Sequence, residues 1–160
     1  MVDDRSCILD LAEWPHFGDW SSPHYPEYRE RIMIDSQAIV LAYSITSRAS
    51  FALIPQYLAQ VNQVRSQPPL TPIPICLVGT KADEEGKREV SFAEGVAAAE
   101  GLGCAFAEVS AKEGTDVETV FCDIVRSIRR KRVDSAAKSM ESAPMRRKSR
   151  LGSFYRMFRR

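Results

Sequence analysis

A parallel β-sheet with helices on both faces is the fold this sequence predicts, and three apolar runs and two polar clusters carry the prediction. Ala38–Tyr43 is continuously apolar and of strand length, Ile73–Val78 is interrupted only by Pro74, and Cys104–Val109 only by Glu108. Runs of that kind suit strands covered on both faces. Stretches with helical start and stop signals separate them, the alternation of a βαβ sheet. The clusters Gly79–Asp83 and Ser110–Lys112 follow two of the runs. In such sheets ligands bind beyond the carboxyl ends of the strands.

Taken in order, Ser6–Leu11 reads as a short strand preceded by the turn-like Asp3-Asp4. Residues Glu13–Tyr28 hold three prolines, both histidines and no period, which reads as a loop. Ser47 or Ser50 can cap a helix carrying Phe51, Ile54, Leu58, Val61 and Val64 on one face. Pro55 is tolerable there only near the first turns. Ser91-Phe92-Ala93-Glu94 is a capping box, and Gly101 is the predicted stop of the helix it opens. A second box, Thr115–Glu118, begins a helix with Val117, Val120, Phe121, Ile124, Val125 and Ile128 on one stripe, extended by Arg129–Arg132.

The 160 residues fit one domain with a tail: an α/β domain over 1–132, a linker over 133–144 and a basic amphipathic tail over 145–160. The longest apolar run, Ala38–Tyr43, is too short to span a bilayer, and no secretory signal is recognisable. Cys7, Cys76, Cys104 and Cys122 are widely spaced and form no CxxC pair, so free thiols in a reducing compartment are expected rather than a metal or disulfide framework. The net charge of +1 conceals a split. Residues 1–125 carry nine Lys/Arg and nineteen Asp/Glu, a net −10; residues 126–160 carry thirteen and two, a net +11. Such a split describes an acidic body and a basic tail that addresses a partner.

The two clusters suggest a planar ligand. A carboxylate at Asp83 can accept two hydrogen bonds from the ring N–H and exocyclic amine of guanine. Lys81 can lay its stem over a flat ring with its charge in water. The Ala111 amide can meet the guanine carbonyl, with the Lys112 stem against the base. A TKxD string alone is weak, because loops are rich in these residues; two clusters at strand ends are stronger.

At these residues the chain resembles the Ras-type small GTPases. Leu77-Val78-Gly79-Thr80-Lys81-Ala82-Asp83 is similar to the family's base-specificity motif, with Thr80 for the usual asparagine, an exchange familiar in the Rho branch. Glu108-Val109-Ser110-Ala111-Lys112 matches the second base-contact motif unchanged. Tyr43–Phe51 and Arg88-Glu89-Val90-Ser91 are similar to fungal Ras-like proteins, and the resemblance runs in order from residue 2 to about 132. It implies a three-layer P-loop-type GTPase domain with a mostly parallel sheet, a guanine-nucleotide-binding signal-transduction switch. It further implies GTP/GDP and Mg2+ as cofactors, regulator or effector proteins as partners, and Thr80, Lys81, Asp83, Ser110, Ala111 and Lys112 as guanine-binding residues.

The departures bear on chemistry. No GxxxxGK[ST] occurs, and the match begins where the family's second strand is ending, so the first strand, phosphate loop, first helix and first switch are expected to be lacking. Where the family reads Asp-Thr-Ala-Gly-Gln, this chain reads Glu13-Trp14-Pro15-His16-Phe17, a degenerate second switch in which Gly18 is the alternative glycine. Lost charge-assisted phosphate contacts, at about 1.5–3 kcal/mol each, lower affinity by many decades. Poor GTP hydrolysis is therefore expected, with no catalytic residue and no metal ligand assigned. In the family the lacking strand is central, so either Ser6–Leu11 moves in beside Ala38–Tyr43 or the domain is unstable. A truncated product and an incomplete sequence both stay open.

In the tail, Arg146, Arg147, Lys148, Arg150, Arg156, Arg159 and Arg160 accompany Phe154 and Phe158, with Leu151 and Tyr155 at helical spacing. That pattern suits an anionic membrane surface. A solvated tail or a nucleic-acid or nuclear-import patch is the alternative; nucleic acid is not the expected partner. The family's prenylated cysteine box has no counterpart in Phe158-Arg159-Arg160. The expected location is cytoplasmic and peripheral at the inner face of the plasma membrane. The competing function is a non-catalytic interaction module, a pseudo-GTPase held at the membrane by this tail.

Overall fold

The computed structural model describes residues 1–12, 25–66 and 71–141, with side chains left undescribed at 25–29 and 136–141. Three parallel strands, β1 (Ile39–Ser44), β2 (Ile75–Thr80) and β3 (Ala105–Val109), form one sheet in the order β1-β2-β3. Ile39 pairs with Ile75 and Ser44 with Thr80; Cys76 pairs with Ala105 and Thr80 with Val109. Five α-helices accompany the sheet among the described residues: α1 (Tyr25–Asp35), α2 (Arg48–Ala52), α3 (Ile54–Arg65), α4 (Phe92–Leu102) and α5 (Val117–Glu141).

Side-chain alternation along the strands divides the core into two layers. On one face Leu41, Tyr43 and Leu77 pack with Ile45, Ile54, Leu58, Val90 and Ala99 beneath α2, α3 and α4. On the other, Cys76, Val78 and Val109 pack with Val120 and Ile124 of α5. Each fully buried apolar side chain, Leu77 at 0% exposure being one, contributes about 1.5–3 kcal/mol relative to exposure. The α/β class with a parallel sheet is as the sequence predicts.

Several expectations are corrected. Ser6–Leu11 is not a strand and does not pair beside β1. Residues 6–12 have no regular structure, and Ile8 is 97% exposed. The preceding turn, closed by Val2 and Arg5, docks instead on α5. There Arg126 pairs with Asp3, and Arg129 donates to the Val2 carbonyl at 2.7 Å. A strand needs an edge within reach, and this anchor directs the segment to the last helix. Strand β1 is covered on one face only: Leu41 and Tyr43 are buried while Val40 is 41% exposed, because α5 packs on β2 and β3.

The Glu13–Tyr28 loop is likewise corrected in part, since α1 already begins at Tyr25; residues 13–24 lie outside the described residues. The helix expected after Ser47 is two helices. Ser47 caps α2 by accepting from the Ser50 amide, and a break at Leu53 lets Pro55 sit in the first turn of α3, where its missing N–H costs nothing. Helix α4 has the predicted Ser91–Glu94 capping box but runs past Gly101 and stops at Gly103, whose φ of 67° favours a residue without Cβ. Thr115 does not cap α5; it bridges to Ser110, and the helix starts at Val117. Residues 133–141, expected within a linker, continue α5 to Glu141. The tail residues 142–160 lie outside the described residues, so Arg146, Arg147, Lys148, Arg150, Phe154, Arg156, Phe158, Arg159 and Arg160 are not placed.

Candidate functional site

The carboxyl ends of β2 and β3 bring the two predicted clusters together. After Thr80 the chain turns through Lys81, held in the left-handed region at φ 64° and ψ 38°, into a 3-10 segment, Ala82–Lys87. The Glu84 amide donates to the Lys81 carbonyl at 2.9 Å, closing the turn. After Val109, Ser110 is 1% exposed and its amide donates to the Thr115 carbonyl.

Ser110 and Asp83 form the centre of the site. The Ser110 hydroxyl accepts from the Glu113 amide at 3.1 Å and donates to Asp83 Oδ1 at 2.6 Å. Its single proton is thereby committed to the carboxylate. On the other side, Lys112 Nζ lies 3.6 Å from Asp83 Oδ2. The Ser110 hydrogen bond holds the Asp83 carboxyl below its ordinary value, with the Lys112 charge adding to it and partial burial opposing. The result is an ionised acceptor with fixed orientation at the end of a parallel sheet. That arrangement can accept paired N–H donors from a planar ligand.

The other predicted residues take different positions. Lys81 and Ala111 are exposed, one two residues before Asp83 and the other directly after Ser110. Thr80 turns its hydroxyl onto the Tyr43 carbonyl at 2.8 Å, tying β2 to β1, so its side chain serves the sheet. Glu13, His16, Phe17 and Gly18 lie outside the described residues. Among the described residues no group of three or more His, Cys, Asp or Glu is placed to hold a metal ion.

Sequence reasoning missed the brace beneath the site. Arg88, 17% exposed, forks onto Glu108 at 2.8 and 2.7 Å and onto Glu85 at 2.6–2.9 Å, and donates to the Val90 carbonyl at 2.9 Å. Both carboxylates push the guanidinium pKa up, Glu108 most. Glu85 follows Asp83 by two residues and Glu108 precedes Ser110 by two, so one arginine couples the two loops. A second arginine, Arg48, binds the Glu94 carboxylate and the Glu89 carbonyl, and its amide donates to Glu89 Oε2 at 2.7 Å. The sequence signal was slight: Arg88 stood in a family-like segment, with its partner twenty residues away.

Comparison with known proteins covers both clusters. The Ras family profile matches residues 22–130. Protein ras-2 of Neurospora crassa is 36% identical over 148 residues, covering 82% of this chain and 62% of that protein. Ras-like protein B of Aspergillus fumigatus is 36% identical over 153 residues, with the same shares. Ras-like protein 1 of Pyricularia oryzae is 36% identical over 155 residues, covering 88% of this chain and 62% of its own length. The chain thus spans 62% of the length of these relatives. With its parallel sheet, its paired Asp83–Ser110 loops and a match across most of its length, the chain belongs to the Ras family.

Proposed function

We propose that this chain is a guanine-nucleotide-binding signal-transduction protein whose own residues read the base and contribute little to the phosphates. The observation that carries the reading is the Asp83 carboxylate, oriented by the Ser110 hydroxyl at 2.6 Å. Guanine offers two parallel N–H donors to such a carboxylate; adenine offers an unprotonated ring nitrogen there. Lys81 and Lys112 flank the base with their stems, and the Ala111 amide meets the guanine carbonyl. GTP and GDP with Mg2+ are the cofactors that family membership suggests. The donor set fits the base. No metal ligand is assigned among the described residues. Weak nucleotide retention and slow hydrolysis are part of this proposal, and regulator or effector proteins are the partners such a switch addresses.

The test is calorimetric titration with guanosine, GMP and GDP–Mg2+, each against its adenine counterpart. Guanine preference should be present in all three, with little gain from added phosphates. Asp83→Asn should reverse preference toward xanthosine nucleotides, because an amide supplies a donor where guanine needs an acceptor. Equal binding of adenine and guanine nucleotides by the folded chain would sink the proposal.

A second reading is a non-catalytic interaction module, cytoplasmic and peripheral at an anionic membrane. Charge favours it: residues 126–160 carry a net +11, and the exposed Arg130 and Lys131 of α5 lead toward the basic tail. Co-sedimentation with phosphatidylserine vesicles tests it. Binding that falls with salt and is lost on replacing Arg146, Arg147, Lys148 and Arg150 supports it; binding that survives those changes contradicts it.

A further inference from the structure

The four cysteines divide by their surroundings. Cys76 is buried between β2 and α5, where burial pushes its thiol up to about 11, and burial raises Cys104 as well. Thiols of that kind are poor nucleophiles. Cys7 and Cys122 differ: Cys7 is exposed, Cys122 is half-buried, and both line one cavity of about 240 Å3 together with Leu9, Phe121 and Glu118.

That cavity exists because the N-terminal turn is fastened to α5. Asp3 takes the Arg126 guanidinium at 2.8–3.1 Å, Arg129 holds the Val2 carbonyl at 2.7 Å, and Val2 is 6% exposed. Beyond this anchor, residues 6–12 carry no helix or strand. Among the described residues they make no hydrogen bond that would resist a shift of Cys7. Cys122, by contrast, is fixed in the second turn of α5. One thiol stands on a helix and the other on a segment without helix or strand, and both line the same cavity.

We propose that Cys7 and Cys122 form an oxidisable dithiol, and that its disulfide staples the N-terminal segment to the last helix. The oxidant is a peroxide. One thiolate attacks the O–O bond, giving a sulfenic acid and releasing water after proton transfer. The second thiol then displaces the sulfenic oxygen as water and closes the S–S bond. Two thiol protons and two electrons leave the protein, and one hydrogen peroxide becomes two waters. A disulfide requires Cβ atoms about 3.5–4.5 Å apart, so closure brings Cys7, on a segment without helix or strand, onto the helix-held Cys122.

The test uses the full reduced chain with hydrogen peroxide under native conditions, read by non-reducing peptide mapping. The expected result is an intrachain Cys7–Cys122 link in a monomer two hydrogens lighter, absent in Cys7→Ser and Cys122→Ser and retained in Cys104→Ser. Cross-linking should slow several-fold in Arg126→Ala, which undocks the turn, and should lose its selectivity in urea. The oxidised monomer should show a higher Tm than the reduced one. Links only between chains, sulfinic acid at either cysteine in place of a link, an unchanged rate in Arg126→Ala, or retained Cys7–Cys122 selectivity in urea would overturn the proposal.

Discussion

The hydroxyl of Ser110 donates to Asp83 Oδ1 at 2.6 Å, joining two loops that lie 27 residues apart. Both sit just past strands already in register, Thr80 opposite Val109, so the sheet sets the distance between them. The bond then sets the angle of the carboxylate.

Ser110→Ala follows from that bond. It removes the acceptor of the Glu113 amide and the hydroxyl donor to Asp83 in a site where Ser110 is 1% exposed. Losing one partner of a buried hydrogen bond costs about 1–3 kcal/mol. Urea unfolding should show that loss. The Asp83 pKa, followed by NMR, should rise, because its largest lowering cause is gone. Guanosine affinity should fall by about tenfold, or 1.4 kcal/mol. Unchanged stability together with an unchanged Asp83 titration would show that the bond does not form in solution.

Lys81 opposes stability and function in one residue. Its φ of 64° costs a non-glycine residue about 1–2 kcal/mol, while glycine there would lose about 0.4–1 kcal/mol through unfolded-chain entropy. The difference favours Lys81→Gly by up to about 1.6 kcal/mol. The same change removes the stem proposed to lie on the base, so thermal stability should rise slightly while guanosine binding weakens.

How much of this was legible depended on whether the controlling partner was local. Ser91 and Glu94 are three apart and announced a capping box that formed; Leu77 and Leu41 stand in apolar runs that became strands. Asp83 and Ser110 were legible as motifs, though their mutual bond was not. What sequence missed hangs on distant partners. Ser6–Leu11 has a strand's composition, but β-propensity is fit to a neighbouring surface, and Arg126 and Arg129 direct the segment elsewhere. Helix α1 opens on Tyr25-Pro26 and shows no clear apolar stripe, and the Arg65 guanidinium, a long-range partner, holds the Met33 carbonyl near its end at 2.7 Å.

Glu94 fixes the acid behaviour of the α4 start. Its carboxylate takes the Arg48 guanidinium first, then the Ser91 amide and hydroxyl, and its pKa falls from 4.5 to about 2. A group depressed on folding adds stability above its unfolded value and loses it as pH falls through the folded value. The pair therefore acts in full above about pH 4.5 and fades down to about pH 2. Glu94→Gln should be less stable than the parent at pH 7, and its Tm should vary less with pH between 4.5 and 2. Parallel Tm curves for the two proteins across that window would contradict this account.

Gly95 and Tyr43 meet where α4 crosses the sheet. A Cβ at Gly95 would lie 2.3 Å from Phe106 Cζ and 2.7 Å from the Tyr43 hydroxyl oxygen, so the helix can approach this closely only with glycine. Alanine would gain about 1 kcal/mol in helix propensity, yet overpacking costs typically about 1–3 kcal/mol, and a contact of 2.3 Å to a ring belongs at the upper end. Gly95→Ala should therefore be destabilising despite its better propensity. The Tyr43 hydroxyl is buried without a hydrogen-bond partner among the described residues, and burial pushes its pKa up to about 12. Tyr43→Phe removes an oxygen that gains nothing in the folded state, so it should be neutral or stabilising by about 1 kcal/mol. Combining the two changes removes one of the two clashes, and Gly95→Ala should cost less in the Tyr43→Phe background than alone. A double-mutant cycle by urea unfolding measures that coupling. Strict additivity would mean that the Phe106 ring alone sets how closely α4 approaches the sheet.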